Sequence, residues 1–298
     1  MIEKLRKLSR RVELKLRQKL KRKGFIRDVS NLLPSNLVDL LVYSFEGVPS
    51  ESERRLGTLV EGFRDEVKSR HRNDSVKTYG SPRSGVALTD TSGAVMPGDE
   101  VESKNAGFAR TGTKVREGIQ LKRIAEAMQA QNILELGTNT GLSGCYFLSS
   151  YYRPFLHSIE GSAQLCQIAE LNLSRISSEF HVANAFFDDE LIELKKRGAN
   201  FDLAFIDGQH EEQATLYYAN AIKPLLTPGG GILFDDIYWS EGMHRAWCAA
   251  RDDADYEITL EVGSRGLCIL PKVKNSTERL NLNLSDYLGR PLLTRRGW

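Results

Sequence analysis

A chain of 298 residues with 41% apolar and 27% charged residues has the composition of a folded globular protein, not of a disordered one. No apolar run reaches the roughly 18 residues that a membrane-crossing helix needs, and the basic opening residues lack an apolar h-region and a small-residue cleavage site. A secreted precursor is not expected, and the widely spaced Cys145, Cys166, Cys248 and Cys268 read as reduced thiols of a cytoplasmic protein.

The net charge of +2 hides an asymmetry. Residues 1–24 carry eleven Lys/Arg against Glu3 and Glu13, a net +9, which leaves −7 for the remainder. Leu5, Leu8, Val12, Leu16 and Leu20 recur at spacings of three and four, so residues 1–28 are expected to open with a basic amphipathic helix, with Gly24 as its stop signal. Its leucine stripe could dock on the body of the chain or on a second copy in a homodimer. It could also lie on an anionic membrane at the inner face, or the basic residues could grip nucleic acid. No aromatic residue interleaves the basic ones, which weighs against nucleic acid.

Residues 29–113 read as a cap region of helices and loop. A helix is predicted over 34–45, and Ser50 with Glu53 forms a capping box opening a second helix over 50–70. From Asn73 to Thr113 the chain is rich in Ser, Gly, Thr, Asp and Pro, and reads as a long loop of the kind that covers sites. A helix follows at 114–129, with Ile119, Ile124 and Ala125 facing inward. From Asn132 the pattern changes. NILELG, FLHSIE, FHVANA, FDLAFID and GGGILFDD are short apolar runs separated by helical stretches at 141–152, 162–176, 187–197 and 210–223. This alternation predicts βαβ units and a parallel sheet. After a helix at 240–251, YEITLEV and GLCILPK are split only by Gly263-Ser264-Arg265, which forces an antiparallel hairpin. Residues 114–272 are thus expected to form a doubly wound α/β domain. Its sheet is Rossmann-like, mostly parallel and seven-stranded, and residues 273–298 follow as an irregular tail.

In such a sheet ligands sit outside the carboxyl ends of the strands. The first strand ends in Glu135-Leu136-Gly137-Thr138-Asn139-Thr140-Gly141, where the glycines permit a tight turn close to a ligand and the following helix offers free N–H groups. Asn139 stands where the dinucleotide fingerprint has its middle glycine, which argues against a dinucleotide pyrophosphate. Glu160 ends the second strand, 23 residues after Gly137, placed to accept hydrogen bonds from ribose hydroxyls. Asp207, Asp235 and Asp236 fall at the fourth and fifth strand ends. Three carboxylates so close call for a cation such as a divalent ion, or else form a hydrogen-bonded cluster.

In their order and spacing, ILELGTNTGLS, HSIEG, FDLAFIDGQH and PGGGILFDDIYWSEGM resemble class I S-adenosylmethionine-dependent methyltransferases, in the O-methyltransferase branch of the catechol type. The resemblance covers residues 114–271. It implies methyl transfer from S-adenosylmethionine to a small-molecule hydroxyl. It places Glu135, Gly137, Asn139 and Gly141 around the methionine part of the cofactor, Ser143 at its carboxylate and Glu160 at its ribose. Asn184, Ala185 and Phe186 fall at its adenine, and Asp207 reaches the same site. Asp207, Asp235 and Asp236 match a Mg²⁺ triad, with Asp236 where that branch usually has Asn. His210 stands where the branch often has a lysine base; it could take a hydroxyl proton there or cap the next helix. Tyr238, Trp239 and His244 read as packing residues, with Tyr238 and Trp239 alternatively walling a substrate pocket. Three other readings remain open: aminopropyl transfer, with the QHEEQ stretch as an acidic tunnel, methylation of RNA, and a non-catalytic cofactor-binding adaptor held to a membrane by residues 1–24.

Overall fold

The computed structural model describes residues 23–28, 30–79, 100–104, 106–273 and 279–282. The leucine stripe of the N-terminal segment lies outside the described residues. Its end does not follow expectation, because residues 23–28 are helical with Gly24 among them. A glycine inside a helix costs about 1 kcal/mol and stops nothing unless the chain turns left-handed there. Phe25 is buried in the main core beside Leu33 and Leu37, and that contact offsets the cost.

Helix α1 (Ser35–Glu46) ends on Gly47, whose left-handed φ of 62° lets its N–H donate to Tyr43. Helix α2 (Glu51–Arg70) begins with the predicted box: Glu53 N–H donates to Ser50 Oγ and Ser50 N–H to Glu53 Oε2. Glu53 also accepts two bonds from Arg123, at 2.7 and 2.8 Å. This fastens α2 to α4 (Val115–Ala127), where Ile119, Ile124 and Ala125 are buried as expected.

The stretch read as loop holds more order than that. Strands β1 (Ser75–Tyr79) and β2 (Glu100–Lys104) pair antiparallel, and α3 (Gly107–Thr111) follows. Their side chains are mostly polar and exposed, with only Val76 of the ten strand residues buried, so no apolar alternation announces them.

The main sheet has eight strands. They are β3 (Asn132–Leu136), β4 (Phe155–Glu160), β5 (Phe180–Asn184), β6 (Phe201–Ile206), β7 (Leu226–Phe234), β8 (Ile258–Val262), β9 (Arg265–Ile269) and β10 (Leu280–Leu282). Their order is β10-β8-β9-β7-β6-β3-β4-β5. The predicted parallel run and closing hairpin are both present: β9 lies antiparallel between β7 and β8. Strand β10 corrects the expected count of seven and the wholly irregular tail. It pairs parallel with β8 through three residues, of which only Leu282 is buried, too little for a periodic signal.

The crossover helices are α5 (Leu142–Leu148), α6 (Ala163–Leu173), α7 (Phe187–Lys196), α8 (Glu212–Ile222) and α9 (Glu241–Asp252). One sheet face carries a core shared with α1, α2, α4, α5 and α6, and the other a core shared with α7, α8 and α9. The carboxyl ends of β3, β4, β5 and β6 open on one side, under β1, β2 and α3.

Candidate active site

The loop after β3 takes its shape from backbone that few residues tolerate. Gly137 has φ +100°, and a Cβ there would lie 2.3 Å from the carbonyl oxygen of Asp207. Asn139 and Gly141 are also left-handed, at 49° and 78°. The turn therefore folds back over β4, where Glu160 receives it: its carboxylate accepts the N–H of Asn139 at 2.8 Å and of Ser162 at 2.9 Å. Burial raises the Glu160 pKa above the ordinary carboxylate value. Glu135 is wholly buried and does not face the opening. It accepts hydroxyl bonds from Ser143 and Ser158, and burial pushes its pKa up to about 7.

A cavity of about 800 Å³ lies above this loop. Of the residues picked from the sequence, Gly137, Asn139, Ser143, Glu160, Ala185, Phe186, Asp207 and His210 line it. Glu135, Gly141, Asn184, Asp235 and Asp236 are not part of that lining. Asn184 secures the strand end by donating its amide to the carbonyls of Glu160 and Gly161. Two buried polar atoms on the wall, Asn139 Oδ1 and Thr140 Oγ1, have no hydrogen-bond partner among the described residues. A polar ligand such as S-adenosylmethionine would satisfy them.

The roof comes from residues that sequence reasoning missed. Tyr79 of β1 meets the Phe186 ring edge-on at 5.1 Å, and Thr78, Val101, Phe108 and Thr111 line the cavity beside it. Two anchors hold this roof. The Asn139 side-chain amide donates to the Phe108 carbonyl at 3.2 Å. Buried Arg64 of α2 donates to the carbonyls of Ala109 at 2.7 Å, Gly112 at 3.1 Å and Thr113. Only the spacing of Arg64 on the apolar side of α2, beside Val60, Phe63 and Val67, could have marked it.

On the cavity wall, His210 Nε2 lies 3.4 Å from Asp207 and 4.0 Å from Asp236. Asp207, Asp236 and Asp235 hold its imidazole protonated against the effect of burial, raising its pKa to about 9. Burial, with Asp235 nearby, raises Asp207. The expected Mg²⁺ triad is not assembled. Among the described residues no group of three His, Cys, Asp or Glu side chains is arranged to hold a metal ion. Asp235 instead faces the guanidinium of Arg265, Nε to Oδ1 at 2.9 Å.

Tyr238 is buried and donates to Glu261 at 2.7 Å, His244 stacks on it, and neither they nor half-exposed Trp239 line the cavity. The acidic residues after His210 also point elsewhere. Glu211 caps α8 and Glu212 pairs with Arg245, so they build no acidic tunnel.

Residues 134–237 match the family described as methyltransferase domain. This stretch is similar to methyltransferase domains. A catechol O-methyltransferase of Niastella koreensis is 29% identical over 136 residues, 44% of this chain and 61% of that protein. The chain thus spans less than two thirds of the curated relative it matches. An O-methyltransferase of Bacillus cereus, solved with S-adenosylhomocysteine, has the same fold; the match has a TM-score of 0.50 and 17% identity, and covers 77% of this chain and 95% of that one. An O-methyltransferase of tomaymycin synthesis from Streptomyces achromogenes, solved with S-adenosylmethionine, matches at TM-score 0.46 and 21% identity over 54% of this chain and 82% of that one. The matched stretch holds the floor of the cavity, while the roof lies outside the matched residues.

Proposed function

We propose that this protein transfers a methyl group from S-adenosylmethionine to a hydroxyl of a small molecule. One observation carries the reading: a single cavity is lined by Glu160, by the unpartnered Asn139 and Thr140 oxygens and by the Asp207–His210 pair. Glu160, already oriented by two backbone N–H groups, presents its carboxylate where a ribose would lie. Ala185 and Phe186, backed by Tyr79, give the adenine an apolar surface. Gly137 leaves room for the methionine part. When bound, the cofactor supplies an activated sulfonium methyl.

The chain's own contribution is proximity and proton management. As the acceptor oxygen forms its bond to the methyl carbon, the carbon–sulfur bond breaks with its electron pair going to sulfur. The hydroxyl proton leaves toward the neutral fraction of His210. The aspartates around that imidazole stabilise the cation formed. No step is assigned to a metal, because the three aspartates do not converge as ligands. Nothing in the arrangement favours aminopropyl transfer, since Glu211 and Glu212 are committed to a helix cap and an ion pair.

Calorimetry with S-adenosylmethionine and S-adenosylhomocysteine tests the reading. Both should bind, and Glu160→Ala should weaken binding at least about tenfold by removing the ribose partner. Absence of binding by the wild-type chain would overturn the proposal. Incubating a cell extract with isotopically labelled cofactor, then mass spectrometry of the small molecules, identifies the acceptor.

A further inference from the structure

Arg265 looks, in the sequence, like the last residue of a hairpin turn. In the fold it is the first residue of β9 and only 1% exposed. A guanidinium stays charged at any ordinary pH, so burying one demands partners on every side. Arg265 has them. Its Nε lies 2.9 Å from Asp235, and its Nη1 donates to Gln120 Oε1 at 3.0 Å and to the Glu117 carbonyl at 3.4 Å. The Phe205 ring lies beneath it at 5.8 Å. Gln120 is itself buried, and the left-handed turn at Gly263 closes the hairpin against its amide.

Sheet register explains why the charge is there. Ile206 of β6 lies beside Phe234 of β7, which lies beside Gly266 of the antiparallel β9. One residue farther on, the same row reads Asp207, Asp235, Arg265. The row therefore carries two carboxylates and a fixed cation: Asp207 lines the cavity, and Asp235 and Arg265 do not. Arg265 thus supplies beside Asp235 one of the positive charges that the aspartates alone would need from an ion.

We propose that Arg265 is the built-in cation of this site: it occupies the electrostatic place that the family resemblance gives to a divalent metal, and it positions Asp235 behind the Asp207–His210 pair. The effect on turnover rests on the methyl-transfer reading, whereas the effect on metal binding does not. Arg265 acts through Asp235 and is a positioning residue.

The experiment titrates Mn²⁺ into the full chain and follows bound ion by electron paramagnetic resonance, so no turnover is required. Wild type should show no specifically bound ion at millimolar Mn²⁺. Arg265→Gln should acquire one bound Mn²⁺, because Asp235 loses its partner beside Asp207 and Asp236, and adding Asp235→Asn should abolish it. Arg265→Lys keeps a charge in place and should exclude the ion as wild type does. One Mn²⁺ bound by wild type and lost in Asp235→Asn would overturn the proposal, as would a folded Arg265→Gln chain that takes up none. If Arg265→Gln does not fold, the wild-type, Arg265→Lys and Asp235→Asn titrations decide alone. With an acceptor in hand, chelation should leave methyl transfer unchanged, and Arg265→Lys should lower kcat while KM for the methyl donor stays the same. An equal loss in both would reduce Arg265 to a purely structural role.

Discussion

The loop of Gly137–Gly141 and the segment of Phe108–Thr113 face each other across one cavity, yet they are held by different means. The loop follows directly from a sheet strand and is fixed by backbone: left-handed residues, a glycine against the Asp207 carbonyl, and the Asn139 N–H bond to Glu160. The roof has only the two-stranded β1–β2 pair beside it and none of the main sheet. It hangs on side chains that arrive from elsewhere, Arg64 from α2, Asn139 from the floor and the Tyr79–Phe186 contact. A floor built from backbone suits a constant ligand such as a cofactor. A roof hung on side chains can be altered by single substitutions without disturbing the sheet, which suits selection of an acceptor.

Four experiments test this contrast. The largest effect is expected from Gly137→Ala. The added Cβ meets backbone, which cannot step aside, and φ there is +100°, so destabilisation of about 3 kcal/mol or more and loss of cofactor binding should follow. A folded variant with wild-type melting temperature and affinity would show that the floor is not set by backbone. The second measurement is the pH dependence of transfer. His210 accepts a proton only when neutral, and its pKa is raised to about 9. The rate should therefore climb about tenfold per pH unit from neutrality and level near pH 9, and His210→Gln should remove the climb. A wild-type profile flat over that interval would remove His210 as the base.

On the roof, Arg64→Met leaves the carbonyls of Ala109, Gly112 and Thr113 without their donor. Thermal unfolding should report a loss of about 2 kcal/mol. Acceptor KM should rise more than cofactor affinity falls, and the reverse pattern would make Arg64 part of the cofactor floor. Tyr79→Ala should have the smallest effect, about 1 kcal/mol for one edge-on aromatic pair, visible as a several-fold weaker affinity for the cofactor by calorimetry. An unchanged affinity would place the adenine away from Phe186.

Much of the floor was legible because its signals are local. The βα pitch from Asn132 onward, the Ser50–Glu53 box and the acids Glu160, Asp207 and Asp235 at strand ends lie within a few residues of what they specify. Strands β1, β2 and β10 were not legible, since they are short and bury only Val76 and Leu282 among them. Arg64 and Arg265 resemble surface cations in the sequence, because the carbonyls and the carboxylate that hold them are supplied by distant segments. The three aspartates were found in the sequence, but the guanidinium that answers Asp235 was not.

Apolar periodicity, glycine and capping chemistry determined the parallel sheet, its closing hairpin and the places where the candidate site residues emerge, because each acts over one turn or one strand. Tertiary structure alone decided which of those residues face the cavity. Sheet register set Arg265 beside Asp235, and the docking of α2 carried Arg64 to the roof. A buried charge is stable only against partners that the folded chain brings to it, and no local pattern records where those partners will come from.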